Sequence, residues 1–116
     1  MDITVHQDGN VAVLKLTGRM DLASGTQLKD NVKTLFDQDN TSLHLNLAEV
    51  EFINSSGLGA LVSTMKETRL RKGRLTLSNL ASYVQEIFEI TQLSHIFEIY
   101  STEDEALNSY NAGVVE

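Results

Sequence analysis

The chain has 116 residues, 41% of them hydrophobic and 22% charged, with no Cys and a net charge of -7. A chain of this size forms one core, and its ordinary apolar content excludes wholesale disorder and low-complexity classes. The missing Cys excludes disulfide scaffolds, thiolate metal sites and thiol nucleophiles, while the acidic balance makes DNA a poor partner.

The elements follow from hydrophobic periodicity. Ile3 to Gln7 alternates apolar and polar residues, as a strand with one wet face does. Asp8-Gly9-Asn10 supplies a turn, with Gly9 available for a positive φ, and the run Val11 to Thr17 returns as the second strand of a hairpin. Val11 to Leu14 is apolar on both faces, so the second strand is expected inside the sheet and the first at its edge. Ser24-Gly25-Thr26-Gln27 has capping-box form and predicts a helix beginning there. Leu28, Val32, Leu35 and Phe36 give that helix one apolar stripe.

Leu43, Leu45 and Leu47 alternate with His44, Asn46 and Ala48 and run through Val50, Phe52 and Ile53, a third strand that places His44 on its wet or half-buried face. Leu58, Leu61, Val62 and Met65 mark a second helix, capped by Asn54 or Ser55, with Gly73 as its stop. Leu75 and Leu77 mark a fourth strand, and Leu80, Val84, Ile87 and Phe88 a third helix. Phe97 and Ile99 form a short fifth strand, and Thr102 to Glu105 a capping box that opens a last helix through Tyr110. The order ββαβαβαβα predicts an α/β fold: a mostly parallel sheet of five strands with an antiparallel first strand, and four helices.

Charge is unevenly placed along this frame. Residues 1 to 65 balance to -4, residues 66 to 74 to +4, and residues 75 to 116 carry seven acids and no Lys or Arg. Lys66, Arg69, Arg71 and Lys72 read as the exposed end of the second helix, near the negative end of its dipole. No apolar run approaches the roughly 18 residues of a membrane span, and the N-terminus has no signal-peptide form. The chain reads as soluble and cytoplasmic, with no membrane or nucleic-acid partner.

Enzymatic constellations are absent from the sequence. His6, His44 and His95 lie on separate elements without metal-ligand spacing. Gly57-Leu58-Gly59 continues into neither a dinucleotide fingerprint nor a P-loop, and Ser55-Ser56 lacks the nucleophile elbow. The reading is a non-enzyme with no metal and no cofactor. What stands out is Glu51 to Val62, EFINSSGLGALV, where a strand ends and a helix begins on Ser, Ser and Gly. Gly57 and Gly59 each weaken a helix by up to about 1 kcal/mol relative to Ala, so close packing at both is expected. The turn lies at the carboxyl end of a parallel strand, the usual ligand position in open α/β sheets, and offers a flat patch that a partner's backbone can approach.

FINSSGLGALV resembles the central signature of the STAS domain, the anti-sigma factor antagonist family. LTGRMDLASGTQLKDNV, with its Gly-x-x-Asp, and LSNLASYVQEIFEITQLSHIFEIYSTEDEAL resemble the flanking segments. The resemblance implies a single STAS-like domain over residues 1–116. It also implies a partner-switching regulator that binds a serine protein kinase acting as anti-sigma factor. Phosphorylation of Ser55 would release it, and a PP2C-type serine phosphatase would reset it. By the same resemblance the partner-binding residues are Asp21, Asn54, Ser55, Ser56, Gly57, Leu58 and Gly59. Asn54 stands where the family usually has Asp, which bears on the rate of phosphorylation and on kinase docking. The alternative is a STAS binding module of a transport or signalling complex that is never phosphorylated.

Overall fold

The computed structural model describes residues 1–112; the last four residues of the expected 1–116 domain lie outside the described residues. Five strands form one sheet in the order β1-β2-β3-β4-β5: β1 (Asp2–Asp8), β2 (Val11–Met20), β3 (Ser42–Ile53), β4 (Arg74–Ser78) and β5 (Glu98–Tyr100). β1 runs antiparallel to β2, and every other neighbouring pair is parallel. The hairpin turns at Gly9, whose φ is +61°, and β1 lies at the sheet edge, as the apolar run Val11 to Leu14 predicts; Val5 is exposed, so β1 is wet on both faces rather than on one. α1 (Leu22–Asp37), α2 (Ser55–Leu70), α3 (Ser82–Ile90) and α4 (Glu103–Ala112) complete the order read from the sequence.

The two faces of the sheet differ because strand residues alternate in direction. Leu14, Leu43, Leu45, Leu75 and Leu77 point to one face, where Leu28 and Phe36 of α1, Leu61 and Met65 of α2 and Val84 and Phe88 of α3 pack on them. Among the described residues α4 covers the other face, with Leu107 and Tyr110 against Val11 and Val13.

Several expectations change. β2 runs on past Thr17 to Met20, paired along Glu49 to Ile53 after one register shift between Lys15 and Thr17 and with another between Gly18 and Arg19, a continuation that backbone pairing allows without apolar alternation. α1 starts at Leu22 rather than at Ser24, because Asp21 is the cap. Its carboxylate accepts from the Ser24 N–H at 3.2 Å while the Ser24 hydroxyl accepts from the Asp21 N–H at 2.7 Å. Gln27, expected to reach back to the cap, donates instead to the Met1 carbonyl at 2.9 Å. α2 ends at Leu70, and the left-handed residue beyond it is Lys72, not Gly73. Leu80 packs on the core ahead of α3 rather than within it, and a short 3₁₀ turn, Leu93–His95, precedes β5.

His44 is the largest correction: it is fully buried, not wet or half-buried. Its two ring nitrogens lie 2.7 Å from the Thr76 hydroxyl and 2.7 Å from the Ser78 hydroxyl of β4. Thr76 is in turn 3.1 Å from the Tyr110 hydroxyl on α4, which donates to the Leu43 carbonyl. Burial pushes the imidazole down to about 4, against a smaller opposing pull from Glu103. Beside this layer Arg74 pairs with Glu98 at 2.6 Å and lies 4.3 Å over the Tyr110 ring.

Candidate functional site

β2 and β3 end side by side at one end of the sheet, where Met20 pairs with Ile53. Both side chains are buried and anchor the helix starts that follow. The Asn54 N–H donates to the Met20 carbonyl at 3.2 Å, which ties the start of α2 to the residue just before the α1 cap. Each start then has its own cap. Asn54, extended in backbone, accepts from the Gly57 N–H at 3.0 Å, as Asp21 accepts from Ser24. Asn54 is thus the cap of α2, one of the two residues that the sequence offers for that place. Since Asn caps about as well as Asp, the neutral side chain keeps the helix start intact.

Ser55 and Ser56 are the first two residues of α2, and both are exposed. Neither hydroxyl bonds to the described residues, which leaves both free at the positive end of a helix dipole. The Ser24 backbone N–H, with help from the Ser24 hydroxyl and from Arg19, holds the Asp21 carboxyl below its usual value. Asp21 therefore brings a fixed negative charge to the neighbouring helix start. The Arg19 guanidinium lies 3.8 Å over the Phe52 ring, on the strand ends below.

The two glycines of α2 differ. A Cβ on Gly57 would collide with the Met20 carbonyl and side chain, so this glycine is required by the seam between the helix starts. A Cβ on Gly59 would meet nothing within 4 Å, so the close packing expected there does not occur among the described residues. Gly59 is exposed and Leu58 half-buried against the core. The structure brings Asn54 to Gly59 and Asp21 together at one end of the sheet. Sequence reasoning missed Leu22, which is 71% exposed at the first position of α1, beside the Asp21 cap. Its signal was available: a Leu outside the stripe set by Leu28, Val32, Leu35 and Phe36.

Among the described residues no group of three or more His, Cys, Asp or Glu is arranged to hold a metal ion, and no helix is long and apolar enough to cross a membrane. The profile of the STAS domain matches residues 2–106. The anti-sigma-B factor antagonist of Listeria monocytogenes is 33% identical over 84% of this chain and 84% of its own length. The anti-sigma-B factor antagonist of Bacillus subtilis is 30% identical over 85% of this chain and 90% of its own length. The solved structure of the anti-sigma factor antagonist SpoIIAA in its unphosphorylated form shares the fold, with a TM-score of 0.75 over 95% of this chain and 98% of that one at 23% identity. The chain therefore belongs to the STAS domain family, which also holds these antagonists.

Proposed function

We propose that the chain is an anti-sigma factor antagonist that works by partner switching in the cytoplasm, with residues 1–116 acting as one domain. Unphosphorylated, it binds a serine protein kinase that is itself an anti-sigma factor. The kinase moves the γ-phosphoryl group of ATP to the Ser55 oxygen, ADP leaves, and the hydroxyl proton passes to the kinase. A PP2C-type phosphatase hydrolyses the ester and restores the binding form. This chain supplies the acceptor and the docking surface, and catalysis belongs to its partners.

The observation that carries this reading is the state of Ser55: an exposed residue whose hydroxyl has no bond to the described residues, on the first turn of a capped helix. A phosphate there adds about -1.5 to -2 charges, which the helix N-terminus can accommodate without disturbing the fold. A partner lying flat on Ser55, Ser56, Leu58 and the open Gly59, with Asn54 and Gly57 behind them, would have to bury that charge beside ionised Asp21. Like-charge juxtaposition costs several kcal/mol, enough to change affinity by orders of magnitude. The names of the Listeria and Bacillus relatives support the target class. Asn54 favours the second reading, a binding module that is never phosphorylated, because it removes the carboxylate next to the acceptor.

Phosphoprotein mass spectrometry of the chain from its native cell, with Ser55→Ala and Ser56→Ala beside it, separates the two. The mass of one phosphate, lost only in Ser55→Ala, is the expected result. No modification under any growth condition, with a stable partner still co-purifying, would establish the constitutive module instead.

A further inference from the structure

A cleft of about 280 Å³ lies between α1 and α2, away from Ser55. Its floor is Val32, Phe36 and Thr64, each at most 5% exposed. The Thr64 hydroxyl already donates to the Ala60 carbonyl at 2.8 Å, so the floor makes no unmet polar demand. The rim is cationic. Lys29 and Lys33 stand exposed one turn apart on α1, an arrangement that weakens an isolated helix by a few tenths of a kcal/mol. Arg71 faces them, 4.5 Å over the Phe36 ring.

Charge does not balance within this cleft. Glu67 is its one acidic lining residue, and it is paired with Arg71 at 3.3 Å. Lys29 and Lys33 have no ion pair among the described residues. A chain of net charge -7 with nine Lys and Arg thus places three of them around one partly apolar hollow. The volume lies near the lower end of the range for small-ligand sites, about 300 Å³, which suits one flat ring system rather than an extended chain.

We propose that this cleft binds an amphiphilic organic anion, a flat apolar body carrying one carboxylate, sulfonate or phosphate group. The body lies over Val32 and Phe36 and displaces water from them. The acidic group sits between the Lys29 and Lys33 ammonium groups, where charge-assisted hydrogen bonds relieve their mutual repulsion. Thr64 is nine residues along α2 from Ser55, roughly 13 Å, so both places can be occupied at once. The inference does not depend on Ser55 being phosphorylated.

The test uses the full chain and anilinonaphthalene sulfonate as the probe, followed by amide NMR shifts and fluorescence. One saturable site is expected, with shifts centred on Val32, Phe36, Ser63 and Thr64. The double variant Lys29→Glu/Lys33→Glu, confirmed folded by circular dichroism, should weaken binding by about tenfold or more. Lys66→Glu, an exposed cation outside the cleft, should leave it unchanged. Shifts centred on the exposed Leu70 and Ile90, equal affinity in the double variant, or no saturable binding would overturn the proposal. So would inorganic phosphate reproducing the same shifts at similar concentration, since the apolar body would then play no part.

Discussion

Two pairs of hydroxyls in this chain are alike in chemistry and opposite in circumstance. Ser55 and Ser56 stand exposed at the start of α2 without a bond to the described residues. Thr76 and Ser78 are fully buried on β4, each bonded to a ring nitrogen of His44. The buried pair is fixed by the fold, because each hydroxyl satisfies a group that has lost its water. The hydroxyls of the exposed pair satisfy no group among the described residues, which leaves them open to a partner.

The largest effect sharpens the exposed side of that contrast. Gly57→Ala should destabilise the chain by about 3 kcal/mol, because its Cβ drives into the Met20 carbonyl at the seam beneath the serines. Urea unfolding measures this; a variant as stable as the wild type would show that the seam gives way.

The buried side is sharpened by acid. The His44 imidazole titrates at about 4 when folded and at 6.5 when free of its surroundings. Between those values the unfolded chain takes up a proton that the folded chain refuses, so stability falls as pH drops from about 6.5 towards 4. Above that window the group has no effect. The shift corresponds to a loss of at most about 3 kcal/mol, read as the difference between the pH profiles of wild type and His44→Gln.

The direct comparison is Ser78→Ala against Ser55→Ala. The first leaves a buried ring nitrogen unpaired and should cost about 2 kcal/mol. The second should stay within about 0.5 kcal/mol. Equal losses in thermal or urea unfolding would break the distinction between the two pairs. One modest effect has the opposite sign. Gly59→Ala should stabilise the chain by about 0.5 to 1 kcal/mol, since nothing in the fold needs that glycine, while weakening capture of the unphosphorylated chain's partner. A variant both more stable and equally well bound would show that the partner leaves Gly59 uncovered.

Most of the fold was legible because its elements carry strong periodicity. The stripe Leu28, Val32, Leu35 and Phe36 is buried as read, and the alternation of Leu43, Leu45 and Leu47 marks the apolar face of β3. The α1 start was misread because two overlapping patterns satisfy the same local rule, Ser24 with Gln27 and Asp21 with Ser24. Only the backbone direction out of β2 decides between them. His44 was misread because strand alternation shows which residues share a face but not whether a distant element covers it. The helix that buries it begins 59 positions later, at Glu103. The glycines of α2 look equivalent in sequence, and what separates Gly57 from Gly59 is the Met20 backbone, which no spacing within the helix reports. The serine-rich helix start, by contrast, was readable because it is a local feature from strand end to cap.

The way α4 is attached has a consequence for the order in which the molecule comes apart. Among the described residues its helix rests on a small apolar contact around Val11, Val13 and Leu107, on the hydrogen bonds of Tyr110 and Arg74, and on one from Asn46 to Glu103, whereas α1 to α3 share the main core. α4 is therefore expected to open before the sheet and its three other helices, which faster amide hydrogen exchange along α4 than along α1 to α3 would show. Such an opening would let water reach His44 without loosening the seam at Met20, so the end of the sheet that carries Ser55 keeps its shape through excursions that begin on the other face.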